Sequence, residues 1–462
     1  MKSQNRVINA GFLALAVGVA FGAGYASRAS QYPTQWRWPE TAGAKTQLTR
    51  TANGNIMVSQ SSAKPAPSRA YKPDLRPYET LDEVRRAIKE NYVQTKVSDT
   101  EITYGAIRGM LRSLGDRYTR FMTPEDYNEF LVSNKGEFTG IGARIDIKDD
   151  YEGSAQARPL GASRPYIVEP MQGGPAEKAG IKRGDVILAI NGRSTADMGE
   201  DAVISTIRGN RGTVVKLKIE RRISDPKIVR DVKYNVFDLD LKRDVIELHP
   251  VKLEWLPGDI AWLRLDEFNE KTDAEFSAAL RKVKAGNLGK PAQGLILDMR
   301  SNPGGLLTSA VDVGSRFINS GPIVITKERG GAMRPYNAKA SHFLGVKTPI
   351  VVLVDGYSAS AAEIITGALK DKKLATVVGE PTFGKASVQV LVDLKNGGAL
   401  VITTAKYLTP LKHDISDKGI TPDVLIKASA EDEKSGRGAQ LQKAVDVLRN
   451  RNNAALVAAK AD

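Results

Sequence analysis

The chain has no cysteine and only three histidines among its 462 residues. Without cysteine it can form neither a disulfide bond nor a thiolate metal site, and a thiol nucleophile is excluded. The three histidines, His249, His342 and His413, lie in unrelated segments, and none has an obvious orienting partner nearby in the sequence. If the protein catalyses proton transfer, a lysine is therefore the better candidate for the base.

Basic residues are numerous, yet they do not cluster. Lysine and arginine number 67 against 53 aspartates and glutamates, which gives a formal net charge of +14, but no run of five or more basic residues occurs. The sequence shows neither an RNA-binding signature nor zinc-finger spacing, so we expect no nucleic-acid partner. The charge is more consistent with a basic surface that faces an anionic membrane or acidic components of a cell envelope.

The N-terminus has the pattern of an export signal. Lys2 and Arg6 precede an uncharged, largely apolar stretch, residues 8–26, whose length is near the lower limit for spanning a bilayer. We predict that residues 1–30 are a cleaved signal peptide or an uncleaved membrane anchor, the anchor being favoured, and that residues 31–72 are an extended linker. Either form of the signal places the rest of the chain outside the cytoplasm, in the periplasm or at the extracytoplasmic face of the membrane.

The most informative stretch covers residues 348–391. A β-branched run over residues 348–355 predicts a buried strand, and the small residues at 358–362 lead into a helical pattern. Ser360 lies at the mouth of this predicted helix. At such a position a hydroxyl can be presented beside converging backbone N–H groups.

Lys385 follows Ser360 by 25 residues and immediately precedes a second predicted strand. Gln389 lies four residues further on, and the two-residue period of an extended chain would put both side chains on one face. A serine nucleophile with a lysine base needs this kind of arrangement. The lysine must also be held in apolar surroundings, for which Phe383 and Val388 are candidates, and a polar neighbour must orient its amine.

Two other interpretations of these residues stay open. The small residues can serve close packing alone, with the lysine in an ordinary loop. Alternatively, Gly379, Gly384 and Lys385 have the spacing of a phosphate-binding P-loop. That motif requires Ser or Thr directly after the lysine and then a helix, whereas Ala386 stands there and a strand pattern follows, so this alternative is the weaker one.

The order S-A-S-A-A-E, followed after about two dozen residues by T-F-G-K-A-S-V-Q, resembles the carboxyl-terminal processing proteases. These are PDZ-containing, tail-specific peptidases with a Ser/Lys dyad. The resemblance implies that Ser360 is the nucleophile, that Lys385 is the general base and that Gln389 supports the lysine. It makes Ser358 a structural serine of the turn, and it implies neither a metal nor a cofactor.

Residues 137–222 form a second informative block. Its Gly-rich turns, its short strands and the run GGPAEKAGIKRGDVILAINGRS resemble a PDZ domain, a β-rich module that binds an extended peptide end by strand addition. The resemblance places the loop that captures the peptide's terminal carboxylate at Gly140, Ile141, Gly142 and Ala143. A PDZ fold without a working groove is the alternative.

Alternating strand and helix patterns from about residue 259 onward predict an α/β core. Within it, D-x-R-x-N-x-G-G over residues 298–305 matches the same protease family. We expect Gly304 or Gly305, together with the N–H of Ala361, to form an oxyanion hole, and the sequence does not decide between the glycines. Asp298 and Arg300 are expected to be structural, paired either with each other or with the turn.

The chain departs from the family at one place. Residues 411–414, Leu-Lys-His-Asp, replace the glycine-containing part of a T-P-x-G-x-x-I pattern. This departure affects the expected edge of the nearby groove and leaves the proposed dyad intact.

The predicted fold is a crotonase-like α/β protease core with an inserted β-rich PDZ domain and a small N-terminal helical region. The predicted boundaries, after the signal and linker, are 73–135 for the helical region, 136–224 for the PDZ domain, 225–430 for the core and 431–462 for a C-terminal helix and tail.

The predicted function is that of an exported serine endopeptidase that cleaves proteins near their C-termini, with the PDZ domain capturing the substrate tail. The expected partners are proteins or peptides with free C-termini, the membrane through the N-terminal segment, and either a second copy of the chain or an activator protein. A catalytically silent PDZ scaffold is the alternative from another class.

Overall fold

The computed structural model describes residues 46–50, 56–60, 76–157, 159–224 and 232–458. These residues fall into two units, one that ends at Ser113 and one that begins at Leu114. The predicted signal or anchor, residues 1–30, lies outside the described residues. Within them, no helix combines the length and the apolar character needed to cross a membrane.

The first unit contains a strand pair and two helices: β1 (Thr46–Arg50), β2 (Ile56–Gln60), α1 (Pro77–Asn91) and α2 (Asp99–Arg112). The antiparallel pairing of β1 with β2 gives regular structure to a stretch that was predicted to be an extended linker. Helix α1 begins with a proline in its first turn, and Ser98 caps α2 by accepting a hydrogen bond from the N–H of Glu101.

The second unit begins with a short strand and a helix, β3 (Arg120–Met122) and α3 (Pro124–Asn134). Thr123 and Asp126 form a reciprocal capping box at the start of α3. Because β3 pairs with a strand of the α/β core, residues 114–135 belong with the core. The prediction that residues 73–135 form one helical region is therefore wrong at its C-terminal end.

A β-rich module follows α3. Its main sheet has the strand order β10-β9-β7-β6-β5, with β8 paired to β7, and a separate pair joins β4 to β11. The strands are β4 (Glu137–Gly140), β5 (Ala143–Lys148), β6 (Arg164–Pro170), β7 (Val186–Ile190), β8 (Arg193–Ser194), β9 (Val214–Arg222), β10 (Tyr234–Lys242) and β11 (Asp244–Glu247), and the helices are α4 (Pro175–Lys178) and α5 (Glu200–Ile207).

Strand β10 corrects the predicted end of this module. It pairs with β9 in antiparallel register over nine residues, from Tyr234 with Arg222 to Lys242 with Val214. A boundary at residue 224 would separate these hydrogen-bonded partners. Local sequence does not show to which sheet the chain returns after residue 231.

The α/β core has two sheets. The larger has the order β12-β13-β14-β17-β18-β21, in which only β12 and β13 pair antiparallel, and the smaller has the order β16-β15-β20-β19, with β3 on β20. The strands are β12 (Val251–Leu256), β13 (Ile260–Leu265), β14 (Gly294–Asp298), β15 (Pro322–Glu328), β16 (Met333–Asn337), β17 (Ile350–Val354), β18 (Ala375–Gly379), β19 (Ser387–Asp393), β20 (Ala399–Leu408) and β21 (Val424–Leu425).

Helices cover both faces of the larger sheet, which explains why β14 and β17 are apolar throughout. The helices α6 (Thr272–Ala285), α7 (Leu307–Ser315) and α8 (Ala361–Asp371) share one apolar cluster with both sheets. On the opposite face, Leu441 and Leu448 of α10 (Ala439–Ala458) pack against the larger sheet. This α/β layering agrees with the sequence-based expectation.

The C-terminal segment is part of the core. Helix α10 is 20 residues long, and α9 (Ala430–Ser435) precedes it. Arg300, at the end of β14, forms buried ion pairs with Asp298 at 2.6 Å and with Asp432 of α9 at 3.0 Å. The predicted pairing of Asp298 with Arg300 is confirmed, and Asp432 extends it to a segment that was predicted to be a separate tail.

Replacing Arg300 by leucine should lower the free energy of unfolding by about 3–5 kcal/mol, because it leaves the buried Asp298 carboxylate without its cation. The matched control is Arg211→Leu, which removes an exposed ion pair with Asp244 at 2.9 Å and should cost no more than about 1 kcal/mol. Urea unfolding followed by tryptophan fluorescence measures both. Equal effects of the two substitutions would contradict this role of Arg300.

Candidate active site

Ser360 occupies a strained turn between β17 and α8. Its backbone has φ 53° and ψ −114°, a region that non-glycine residues rarely adopt. The turn is held by Ser358, which is fully buried, donates its hydroxyl to the carbonyl of Met299 at 2.8 Å and accepts the N–H of Asp355 at 2.9 Å. Ser358 is thus structural, while the side chain of Ser360 is left at the mouth of α8.

A buried carboxylate fixes Ser360 relative to Lys385. Oε2 of Glu363 accepts the backbone N–H of Ser360 at 2.9 Å and that of Lys385 at 3.0 Å. Its other oxygen, Oε1, accepts the hydroxyl of Thr382 at 2.6 Å and the N–H of Gly384 at 2.7 Å. One side chain therefore sets the relative position of two segments that are far apart in the sequence.

The environment of Glu363 acts on its protonation in two directions. Burial raises the pKa of this carboxyl above its usual value, while the hydrogen bonds from Thr382 and from three backbone N–H groups favour the charged form. Sequence reasoning assigned Glu363 no role, although it closes the S-A-S-A-A-E motif. Its position three residues after Ser360, at the end of this motif, was the feature of the sequence that could have pointed to it.

Tyr407 of β20 supplies a second link. Its ring is buried, and its hydroxyl lies 3.1 Å from the carbonyl of Ser360 and 3.4 Å from Oε2 of Glu363, and also contacts the carbonyl of Lys385. Burial, followed by the nearby Glu363 carboxylate, raises the pKa of Tyr407 well above its usual value. No sequence signal pointed to this residue, because a tyrosine in a strand normally indicates packing.

The amine of Lys385 lies in a weakly solvated place. Burial, followed by the positive charge of Arg120, lowers its pKa to about 8, and the carboxylates of Glu363 and Asp116 oppose the shift. Its Nζ lies 5.1 Å from the centroid of the Tyr118 ring. Among the described residues, Nζ has no hydrogen-bond partner and no ion pair, so its lone pair is available once the proton has left.

The ring beside the amine of Lys385 is that of Tyr118, whereas Phe383 and Val388 were predicted to surround this amine. Phe383 is 41% exposed and Val388 packs against the main apolar cluster, whereas the Tyr118 ring is the aromatic surface in contact with Nζ. The hydroxyl of Tyr118 is buried. Because Tyr118 belongs to the segment before β3, its position beside Lys385 depends on a long-range strand pairing that no local pattern reveals.

Gln389 does not reach Lys385. Its amide Nε2 donates to the hydroxyls of Ser387 at 2.8 Å and Thr403 at 3.3 Å, and no hydrogen bond joins it to Lys385. The expectation that both side chains share a face assumed regular alternation. Strand β19 begins only at Ser387, and a bulge between Val388 and Gln389 breaks the alternation.

Gly304 lies directly beside Ser360, while Gly305 lies against the backbone of Phe268. A Cβ atom on Gly304 would stand 2.6 Å from that of Ser360 and 2.8 Å from the backbone nitrogen of Ala361. The N–H of Gly304 already donates to Oδ1 of Asn302 at 2.8 Å. In contrast, the N–H groups of Gly305 and Ala361 have no hydrogen-bond partner in the part of the chain that the structure describes.

The predicted carboxylate loop borders a groove in the β-rich module. Residues 140–143 lie at a cavity of about 340 Å³ together with α5, α3 and Arg208. The carbonyls of Ile141 and Gly142 accept the N–H groups of Ala176 at 2.8 Å and Met171 at 2.9 Å. The N–H groups of Ile141 and Gly142 have no partner among the described residues, which is the arrangement that an anionic peptide end needs.

One cluster outside the site has ligands of the kind that bind metals. Asp273, Asp312 and His342 have ligand atoms within 4.8 Å of one another. Arg316 pairs with Asp273 at 2.6 Å and Lys339 pairs with Asp312 at 2.5 Å. These cations already neutralise both carboxylates, so the cluster reads as an ion-pair network.

Three family models match the chain. Peptidase family S41 matches residues 259–426, the PDZ domain model matches residues 166–221, and the model named Activating protease CtpB N-terminal domain matches residues 41–126.

Full-length relatives agree with these matches. A carboxyl-terminal-processing protease of Synechocystis is 34% identical over 368 residues, which covers 78% of this chain and 80% of the relative. The carboxy-terminal processing protease CtpA of Bacillus subtilis is 34% identical over 83% of this chain and 75% of its own length. A solved structure, a putative S41 protease from Bacteroides fragilis, has the same fold, with a TM-score of 0.51 at 15% identity over 82% of this chain and 98% of its own.

The substitution Glu363→Gln should lower the free energy of unfolding by about 2–4 kcal/mol, because an amide NH₂ would face buried donors where a carboxylate oxygen now accepts them. Glu270→Gln, an exposed substitution in the same unit, is the control and should stay within about 0.5 kcal/mol of the parent. Urea denaturation measures both. If the two variants were equally stable, Glu363 would not be the link between the segments.

Proposed function

The chain belongs to the carboxyl-terminal processing proteases of peptidase family S41, and from that membership we propose that Ser360 is its nucleophile and Lys385 its general base. The observation that carries this proposal is the Glu363 carboxylate, which accepts the backbone N–H of both residues through one oxygen. A strained serine and a weakly solvated lysine, linked at the backbone by this carboxylate, are the two parts that serine peptidase chemistry needs.

Proton transfer begins at the amine. With a pKa of about 8, a minor fraction of Lys385 is neutral at pH 7 and about half at pH 8. The neutral amine takes the proton of Ser360 Oγ as the oxygen attacks the substrate's carbonyl carbon. The resulting ammonium then gives this proton to the leaving nitrogen, which departs as the new N-terminus of the released fragment.

Negative charge on the tetrahedral intermediate requires donors that are already in place. We assign this role to the N–H groups of Gly305 and Ala361, because the N–H of Gly304 is engaged by Asn302. Gly304 supports the hole by allowing its backbone to lie against Ser360 without a side chain. A water molecule deprotonated by Lys385 then attacks the ester and restores Ser360.

Gln389 is retained as a supporting residue of the amine. To reach Lys385, its amide must leave the hydroxyls of Ser387 and Thr403. The assignment therefore implies a local rearrangement of β19 during catalysis.

Substrate capture is assigned to the loop at Gly140, Ile141, Gly142 and Ala143. Backbone N–H groups of this loop would donate hydrogen bonds to the terminal carboxylate, while the apolar groove between β5 and α5 would hold the last side chains. The peptide would then extend toward Ser360, and cleavage would occur near the C-terminus of the captured protein.

We also propose an extracytoplasmic location. It is supported by the positive residues Lys2 and Arg6 followed by the apolar residues 8–26. An enzyme placed there would meet exported proteins with free C-termini. A second copy of the chain or an activator protein would be a further partner in the same compartment.

Removal of either dyad side chain should abolish cleavage. Ser360→Ala and Lys385→Ala are expected to reduce kcat/KM at least about 1000-fold toward an unfolded protein with a free apolar tail, with folding unchanged. In the parent enzyme, kcat/KM should rise about tenfold per pH unit below pH 8 and level off above it, because only the neutral amine accepts a proton. A profile that falls as the pH rises through 8 would contradict a lysine base.

Amidation of the substrate's C-terminus should weaken binding about 10- to 100-fold, because a neutral amide replaces the carboxylate at the loop. Fluorescence anisotropy of labelled peptides with the Ser360→Ala protein measures this without cleavage. A peptide with an internal Asp→Asn change is the control for loss of charge alone. Equal affinity of the acid and the amide would show that the loop does not capture the tail.

A further inference from the structure

A second cavity lies on the smaller sheet of the core and is unusually basic. It has a volume of about 680 Å³ and lies between β15, β20 and the loop that follows β20. Its charged lining consists of Lys327, Arg329, Lys406, Lys412, Glu328 and Asp414. Four cations therefore face two carboxylates.

Two of these cations stand in an unfavourable arrangement. Lys327 of β15 is directly opposite Lys406 of β20 in the antiparallel register. Directly opposite side chains have Cβ atoms about 4.5–5.5 Å apart, and like charges at such positions destabilise a sheet. Local conflicts of this kind are expected at functional sites rather than in a neutral surface.

The protein does not neutralise this charge by itself. Within the described ranges, none of the four cations forms an ion pair with a carboxylate. Ser416, whose backbone N–H donates to Oδ1 of Asp414 at 2.8 Å, lowers the pKa of Asp414, and the charge of Lys406 adds to this lowering. An anion entering the cavity would relieve the repulsion between Lys327 and Lys406.

The cavity lies next to β19, the strand that begins two residues after Lys385. Lys406 is the register partner of Ser387, which lies two residues after Lys385. Thr403 lines the cavity and also accepts a hydrogen bond from Gln389 at 3.3 Å. Part of the lining, Lys412 and Asp414, comes from the stretch that departs from the family pattern, so this feature belongs to this chain.

We propose that this basic cavity is a specificity subsite that binds an acidic side chain, Asp or Glu, of the substrate close to the bond that is cut. The inference rests on the proposed function. It adds that the substrate needs an acidic residue near the cut bond as well as a free C-terminus. The position of the cavity beside β19 favours the substrate over a membrane lipid as the source of the anion, because a peptide held at Ser360 would pass along this strand.

The test uses fluorogenic peptides that differ at one position at a time, with Asp, Asn or Lys placed along the residues that flank the cut bond. At low ionic strength, the parent enzyme should prefer Asp to Asn at one or two positions by roughly two- to fivefold in kcat/KM, the scale of solvent-exposed ion pairs. The double variant Lys327→Gln/Lys406→Gln should lose this preference. Lys282→Gln, an exposed lysine of α6, is the matched control and should keep it.

Charge reversal sharpens the test. Lys406→Glu should prefer Lys to Asp at the same peptide position, which a general loss of activity cannot produce. Absence of an acid preference in the parent enzyme, or its persistence in the double variant, overturns the proposal. Binding of phosphatidylglycerol vesicles that depends on Lys327 and Lys406, with unchanged peptide selectivity, also overturns it by making the cavity a membrane contact.

Binding separates this inference from the proposed mechanism. Anisotropy with the Ser360→Ala protein should show tighter binding of the Asp peptide than of the Asn peptide, and adding Lys327→Gln/Lys406→Gln should remove the difference. If the parent enzyme cuts no peptide while this difference is present, the subsite is supported and the proposed cleavage fails. If cleavage depends on the dyad but neither assay detects an acid preference, only the subsite is wrong.

Discussion

The site depends on the hydrogen bonds that the carboxylate of Glu363 accepts. This carboxylate is fully buried, and it accepts hydrogen bonds from Ser360 of its own segment, from Thr382, Gly384 and Lys385, and from Tyr407 of β20. The strained turn at Ser360 and the loop that carries Lys385 are joined through its two oxygens. Backbone strain persists only where the surroundings over-determine it, and here a charged acceptor supplies that constraint.

Lys385 is held between opposing influences. Burial and Arg120 favour its neutral form, while the Tyr118 ring and the carboxylates of Glu363 and Asp116 favour the ammonium. The balance leaves the pKa of the amine near neutrality, at about 8. A base must accept a proton and then return it to the leaving group, so a value near the working pH serves both steps.

Local sequence was sufficient wherever a short motif determines local geometry. The strand, turn and helix around Ser360 follow from adjacent residues, whereas the structural role of Ser358 was implied by the family resemblance. Local sequence was insufficient where strands meet over long distances, and for that reason β10, the α10 packing and the position of Tyr118 beside Lys385 were missed. The bulge that turns Gln389 away from Lys385 shows that alternation is only an average property of strands.

One continuous segment contributes to both proposed binding sites. Tyr118 and Arg120 act on Lys385, and α3, which follows them, lines the groove of the PDZ module. The residues that act on the base and the helix that lines the peptide groove are therefore close together in the sequence. The capped start of α3 at Thr123 gives this segment a defined conformation.

The most direct test of the account is the protonation of Lys385 itself. Lysines labelled with ¹³C at Cε, in parent protein and in Lys385→Arg for assignment, report each amine's titration by NMR. The account predicts one lysine with a pKa of about 8 that disappears in the variant. A Lys385 signal that titrates near ~10.4, as an exposed lysine does, would contradict a neutral amine as the base.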